Sequence, residues 1–290
     1  MDSKTRRFAV LFLSPGFILY TLFVFVPICL SVYYSLTDWR IMGSRHFVFL
    51  ENYRNLLTDK AYAQTLGNTL TVMSASLLIQ LPAALFFAYL LYIRKKHTDL
   101  YRTLYFIPVV ISPIAIGTMF SLFYNGNLGP INSFLDLAGL SFLKQKWLAD
   151  PDVVLGAVIF PDIWRFIGYY VVLFLSGLNG IPGSMIESAM IDGASRSRTF
   201  FSVILPQLRD VAVVAVILSV TGSLKSFEMP LALTDGGPGN LSAYISLYMF
   251  KTAFKYQKFG YGSAVTITIL FYALLLTVLI KKFSDREADL

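Results

Sequence analysis

The chain is poor in the residues from which most catalytic and metal sites are built. Its 290 residues include one cysteine and two histidines, and only 14% are charged. Cys29 stands alone inside an apolar run, so it forms no internal disulfide and offers no metal-ligand spacing. His46 and His97 both fall in loop-like segments, which argues against a histidine-based catalytic or metal site. No HExxH, CxxC or Gly-x-Ser-x-Gly occurs. A phosphate-cradling G-x-x-x-x-G-K-[ST] loop is also missing. The nearest approach, Thr221-Gly-Ser-Leu-Lys225-Ser226, has the wrong spacing and lies in an apolar segment.

The shortage of charge is itself informative. Soluble domains carry roughly 25% charged residues, whereas this chain is 56% hydrophobic and 16% aromatic. The net charge of +7 does not point to nucleic acid, because the basic residues flank apolar spans. Lys4, Arg6 and Arg7 precede a charge-free run from Phe8 to Thr37, too long for a signal peptide and without a clear small-residue cleavage site. That run reads as a retained transmembrane helix.

What the chain has instead is long apolar segments. About 20 apolar residues span a bilayer as a helix, and six segments qualify: 8–36, 66–93, 103–124, 153–179, 211–233 and 260–280. The expected fold is therefore all-α, one transmembrane domain over 1–290 with six spans. Asp162 and Arg165 interrupt the fourth span; three residues apart, they could pair on one helix face. Prolines 15, 27, 82, 108, 113, 161 and 230 lie within or beside the spans, as in kinked helices that line cavities. Lysine and arginine are nearly balanced between the two sets of loops. RKKHTDLYR, residues 94–102, packs four into nine positions, which places both termini on the cytoplasmic side.

One stretch breaks the apolar pattern on that side: ESAMIDGASRSRTFFSVILPQL, Glu187 to Leu208. Ser184 and Glu187 have capping-box spacing, Gly193 can close a first short helix in the left-handed region, and Ser195 or Ser197 can cap a second that Pro206 kinks or ends. The region 182–208 therefore reads as a helix–turn–helix elbow. Ala189 and Gly193 leave one face nearly bare, open to a groove or another helix.

Glu187-Ser188-Ala189, three residues, Gly193, then Ile204-Leu205-Pro206 resembles the signature loop of transmembrane permease subunits of binding-protein-dependent ABC importers. The family pattern is Glu-Ala-Ala, three residues, Gly, nine residues, Ile-x-Leu-Pro; here Ser188 replaces the first alanine and the proline follows Ile-Leu directly. FVFLENYRNLLTDKAYAQTLGNTL (Phe47–Leu70), FLSGLNGIP (Phe174–Pro182), LTDGGPGN (Leu233–Asn240) and KTAFKYQKFGYGSA (Lys251–Ala264) are similar to segments of the carbohydrate type, in the same order. The resemblance implies a coupling elbow in which Glu187, Ser188, Ala189, Asp192 and Gly193 dock on an ATP-hydrolysing subunit. It implies a second homologous permease, two ATPase subunits carrying ATP and Mg, and an extracytoplasmic sugar-binding protein. It implies a plasma-membrane location in a bacterium, no enzyme activity and no cofactor in this chain.

By alignment to maltose-type relatives, the resemblance also implies substrate contacts at Arg165, Phe166 and Tyr169 and at Ser219, Gly222, Ser223 and Ser226. The last four recur at i, i+3, i+4 and i+7, a small polar stripe that suits helix packing equally well. Trp164, Phe166, Tyr169 and Tyr170 suit sugar stacking or plain packing. Arg165 suits an acidic sugar or a heavily hydroxylated oligosaccharide. The rival reading is an ion-coupled secondary transporter with Asp162 as its ion site, for which inverted repeats are expected and not found. A membrane enzyme lacks a nucleophile–base or metal set.

Overall fold

In a computed structural model, which describes residues 3–41, 45–94 and 98–288, the chain is helical throughout, with only isolated β-bridges. Lys95, Lys96 and His97 of the basic RKKHTDLYR segment lie outside the described residues. Among the described residues four helices are long and apolar enough to cross a membrane: α1 (3–35; its apolar part Phe12–Ser35), α3 Lys60–Arg94, α7 Val154–Asn179 and α13 Phe259–Ala288. Two bent pairs meet the same test together. They are α4 Thr98–Val110 with α5 Pro113–Phe123, bent by 90°, and α9 Arg196–Gln207 with α10 Arg209–Lys225, bent by 68°. Counting each pair once gives six membrane-crossing segments. Shorter helices fill the connections: α2 Glu51–Thr58, α6 Pro130–Leu137, α8 Gly183–Ile191, α11 Glu228–Thr234 and α12 Ile245–Phe250.

Proline explains much of the bending. It lacks an N–H, and its ring clashes with the carbonyl four residues back. In three helices the chain widens into a π-turn just before the ring: Thr21–Phe25 before Pro27, Ser76–Gln80 before Pro82, and Phe200–Ile204 before Pro206. The wide turn makes room for the ring without ending the helix. Pro113 acts differently. It forces Ser112 into an extended conformation, ψ 131°, and so separates α4 from α5. The fifth apolar segment is divided too: α10 stops at Lys225, Ser226 is extended with ψ 130°, and α11 starts at Glu228.

The chain forms two compact units. One comprises the residues up to Lys60 together with Met249–Phe271. Within it, Asn52 donates to the carbonyls of Ser35 and Thr37, both at 2.8 Å, while Trp39 stacks on Phe259 and carries the Arg45 guanidinium 4.5 Å above its ring. The most apolar eighteen-residue window of α1 holds no buried residue, with Phe12 and Phe23 highly exposed, as suits a lipid-facing helix.

The other unit, Ala61–Tyr248 with the chain from Tyr272 on, is organised around α7. Half of that helix's apolar window is buried. Val171, Phe174 and Leu178 of α7 pack on Ala84 and Ala88 of α3, where small side chains let the helices close. Gly168 meets α4 so tightly that a Cβ there would overlap the carbonyl of Tyr105. Asp162 and Arg165 do not break α7; it runs unbroken through both. A second cluster joins Ile116 and Phe120 of α5 to Val158, Met229 and Tyr244. Asn68 of α3 donates to the carbonyls of Asn240 and Ala243, both at 2.9 Å, and pins down the LTDGGPGN loop.

Candidate functional site

The helices α3, α7, α10 and the start of α11 enclose a cavity of about 400 Å³. Phe166 and Tyr169 line it from α7, and Ser219, Gly222 and Ser223 line it from α10, with Ser226 in the turn that follows. Six of the seven residues expected at the substrate site thus line one cavity. Gly222 has nothing within 4 Å of where a Cβ would stand, so this part of the small stripe faces open space.

Arg165 stands apart from the lining. Its guanidinium lies 4.7 Å over the Phe166 ring and 3.9 Å from the Glu228 carboxylate, and its Nε is buried without a hydrogen-bond partner. The Asp162–Arg165 pair that their spacing allowed does not form. Asp162, 7% exposed, accepts instead from the Ser226 hydroxyl at 2.9 Å. The reason is the break at Ser226: it brings a hydroxyl against Asp162 and carries Glu228 toward Arg165, so each charged group finds a partner off its own helix.

The cavity also contains residues that the sequence did not single out. Ser76 and Gln80, in the π-turn of α3, are buried and bonded to each other. Gln80 donates to the carbonyl of Ile163 at 2.7 Å, and Ser76 shares a 2.8 Å hydroxyl–hydroxyl bond with Ser219. Ser223 donates back to the carbonyl of Ser219 at 2.9 Å. This seam ties three helices together at the cavity floor, and a buried network of this kind is stabilising only when every member is satisfied. The available signal was Pro82: a proline inside a span, preceded by Ser and Gln one turn apart. Lys225 and Glu228 also line the cavity.

The elbow lies in the same unit. Helix α8 starts at Gly183 behind Pro182, and no side chain caps it. The capping box expected from Ser184 and Glu187 is therefore absent: with Pro182 at the N-cap the helix starts two residues early, so Ser184 is already inside the first turn. The other end matches expectation. Gly193 has φ +79°, and the N–H groups of Gly193 and Ala194 bond to the carbonyls of Met190 and Ala189 at 3.1 and 3.0 Å. Ser195 caps the next helix, accepting from the Arg198 N–H at 3.3 Å. Pro206 falls within α9; the bend follows it, at Leu208.

One side of the elbow is anchored and the other is bare. Ile186, Phe200, Ile204 and Leu208 join the core beside α3 and α7, with the Phe200 and Tyr89 rings 4.6 Å apart. Arg209 bonds to the carbonyl of Ser284 on α13. Glu187, Ser188, Asp192 and Gly193 are exposed and Ala189 is half-buried; beside them Met190 and Ile191 stand 51% and 85% exposed. Apolar side chains raised beside a carboxylate and a closing glycine form a ridge suited to a groove on another protein.

Residues 80–287 match the family described as "Binding-protein-dependent transport system inner membrane component". The chain is 33% identical to the probable ABC transporter permease protein YurN of Bacillus subtilis over 98% of each chain. It is 31% identical to the trehalose/maltose transport system permease protein MalF of Thermococcus litoralis, over 99% of this chain and 96% of that one. Its fold superimposes with a TM-score of 0.85 on a chain of a bacterial alginate ABC transporter solved in complex with an alginate pentasaccharide-bound periplasmic protein. The match covers 98% of this chain and 96% of that one at 20% identity.

Proposed function

Because the chain belongs to the family of binding-protein-dependent transport system inner membrane components, we propose that it carries a saccharide across the membrane through the cavity between α3, α7 and α10. The chain is a multi-pass membrane protein and a carbohydrate-type permease subunit of an ABC importer. The observation that carries the finer reading is the pairing, in one unit, of a polar cavity with an anchored but outwardly apolar elbow.

An extracytoplasmic binding protein delivers the sugar, and a second homologous permease completes the pathway. The faces of Phe166 and Tyr169 take the C–H-rich side of a sugar ring, and Ser223 and Ser226 offer hydroxyls to its polar edge. Two ATPase subunits bind and hydrolyse ATP with Mg. Their closure pushes the ridge of Glu187, Met190, Ile191 and Gly193, and the core contacts of Ile186 and Ile204 pass that motion to α7 and α3. The cavity then changes from inward to outward access, driven by nucleotide binding more tightly to one state than the other. Both termini and the elbow lie on the cytoplasmic side of a bacterial plasma membrane.

The test is uptake of radiolabelled saccharide by proteoliposomes holding the complex purified from its own membrane. Uptake is expected to require ATP and the co-purifying ATPase, and Glu187→Lys is expected to abolish it while leaving the permease folded. Uptake that persists after the ATPase is stripped away would overturn the reading.

A further inference from the structure

The charges around the cavity do not balance in space. Asp162 is held by Ser226 at 2.9 Å, and Glu228 faces Arg165 at 3.9 Å. Lys225 lines the cavity, is exposed, and has no hydrogen-bond or ion-pair partner among the described residues. The cause is local. On a continuous helix Glu228 would sit one turn below Lys225, at a spacing that favours an ion pair. The extended Ser226 and the φ −148° of Phe227 end the helix between them, and Glu228 turns to Arg165 instead.

A last-turn position suits a cation in any case, because the helix dipole is negative there. The dipole is diffuse and gives the ammonium no directed acceptor. In the open cavity water supplies the acceptors. When access closes on both sides, an ammonium without a counterion becomes costly. A neutral sugar offers it only hydroxyls, whereas a carboxylate or another oxyanion on the cargo neutralises it. The second cation points the same way, because the Nε of Arg165 is already short of an acceptor.

We infer that Lys225 anchors an anionic group of the cargo, so that this permease selects acidic saccharides such as uronate oligomers over neutral ones. The sugar ring lies against Phe166 and Tyr169, and its oxyanion reaches toward the end of α10. The inference rests on the saccharide-importer reading.

The experiment uses the whole importer with its binding protein in proteoliposomes. Matched trisaccharides are offered in pairs, the neutral sugar and its uronate counterpart, to wild type, Lys225→Gln and Lys225→Arg. The expected result is uptake of a uronate member. Lys225→Gln is expected to raise its KM roughly 10- to 100-fold, the scale of a lost charge-assisted hydrogen bond. Lys225→Arg retains uptake, and Lys225→Gln lowers uronate uptake by a larger factor than any neutral uptake. Transport of neutral members alone overturns the inference and leaves the importer reading intact. So does a Lys225→Gln variant that carries the uronate normally, or one that loses both members of a pair equally. Uptake without ATP overturns both readings. If Lys225→Gln does not assemble, the wild-type preference within each pair still decides the matter.

Discussion

At the cavity, Asp162, Gln80, Ser76 and Ser219 are polar groups buried in an apolar bundle, and each has a bonded partner. At the elbow, Met190 and Ile191 are apolar groups exposed beside charged ones. Burying a polar group is unfavourable unless it is hydrogen-bonded, and exposing an apolar ridge is unfavourable unless something covers it. The cavity resolves its conflict within the chain, through bonds between helices. The elbow leaves its conflict for a partner to resolve. The two sites should therefore respond to mutation in opposite ways: changes to the bonded polar residues of the cavity register in the stability of the isolated permease, changes to the exposed ridge of the elbow only in the complex.

The largest effect separates them most sharply. Met190→Glu combined with Ile191→Glu should leave the thermal midpoint of the isolated permease unchanged, because neither side chain supports the core. The same pair should cut ATP-driven uptake by roughly 100-fold or more, as for a charged lesion at the centre of a docking surface. A falling midpoint would mean that the ridge is part of the fold.

Next in size is a blockade. Gly222→Trp enters open space, so the protein should fold and still bind its ATPase. Uptake should fall by about tenfold or more as the indole occupies the room meant for cargo. Normal transport by this variant would take the pathway away from α10.

A smaller, energetic comparison uses serine on both sides. Ser226→Ala removes the donor to buried Asp162 and should destabilise the permease by about 1–3 kcal/mol in a denaturation series. Ser188→Ala on the exposed face of α8 should change stability by no more than about 0.5 kcal/mol. Equal losses would erase the distinction between the two sites.

The smallest expected effect lies away from both. Asp136, in the connection between α5 and α7, bonds to Lys144 at 2.7 Å and to Ser141 at 2.8 Å. The hydrogen bond from Lys144, then that from Ser141, holds its carboxyl below the usual value. A carboxyl with a lowered folded pKa supports the folded loop at neutral pH and loses that contribution as the pH falls through it. Amide exchange in 130–144 should accelerate slightly only in acid, and Lys144→Met should flatten the response. A rate that rises toward alkaline pH, beyond the intrinsic exchange trend, would reverse the assignment.

The elbow was legible because its signals are local. Turn residues, a glycine requiring positive φ and a charged break in an apolar chain all lie within about twenty positions, and only the capping box was misread, since Pro182 moved the helix start. The cavity was half legible. The small stripe on α10 showed in its spacing and the resemblance to maltose-type permeases pointed to it and to the aromatics of α7, but Ser76 and Gln80 look like ordinary span residues until the π-turn and α7 meet them. Charge pairing was the least legible part. Asp162 and Arg165 have textual spacing for a pair, yet each turned to a residue some sixty positions away.

The sequence by itself determined that the chain lives in a membrane, how many apolar segments it has and which stretch between them folds as a helix–turn–helix elbow. Those properties follow from hydropathy, proline chemistry and backbone conformation, all of which act over a few residues. Only the tertiary structure decided which charges neutralise one another and which is left over. A break of one extended residue at Ser226 moved Glu228 from Lys225 to Arg165, and electrostatic partnership depends on distances of a few ångströms that sequence spacing does not fix.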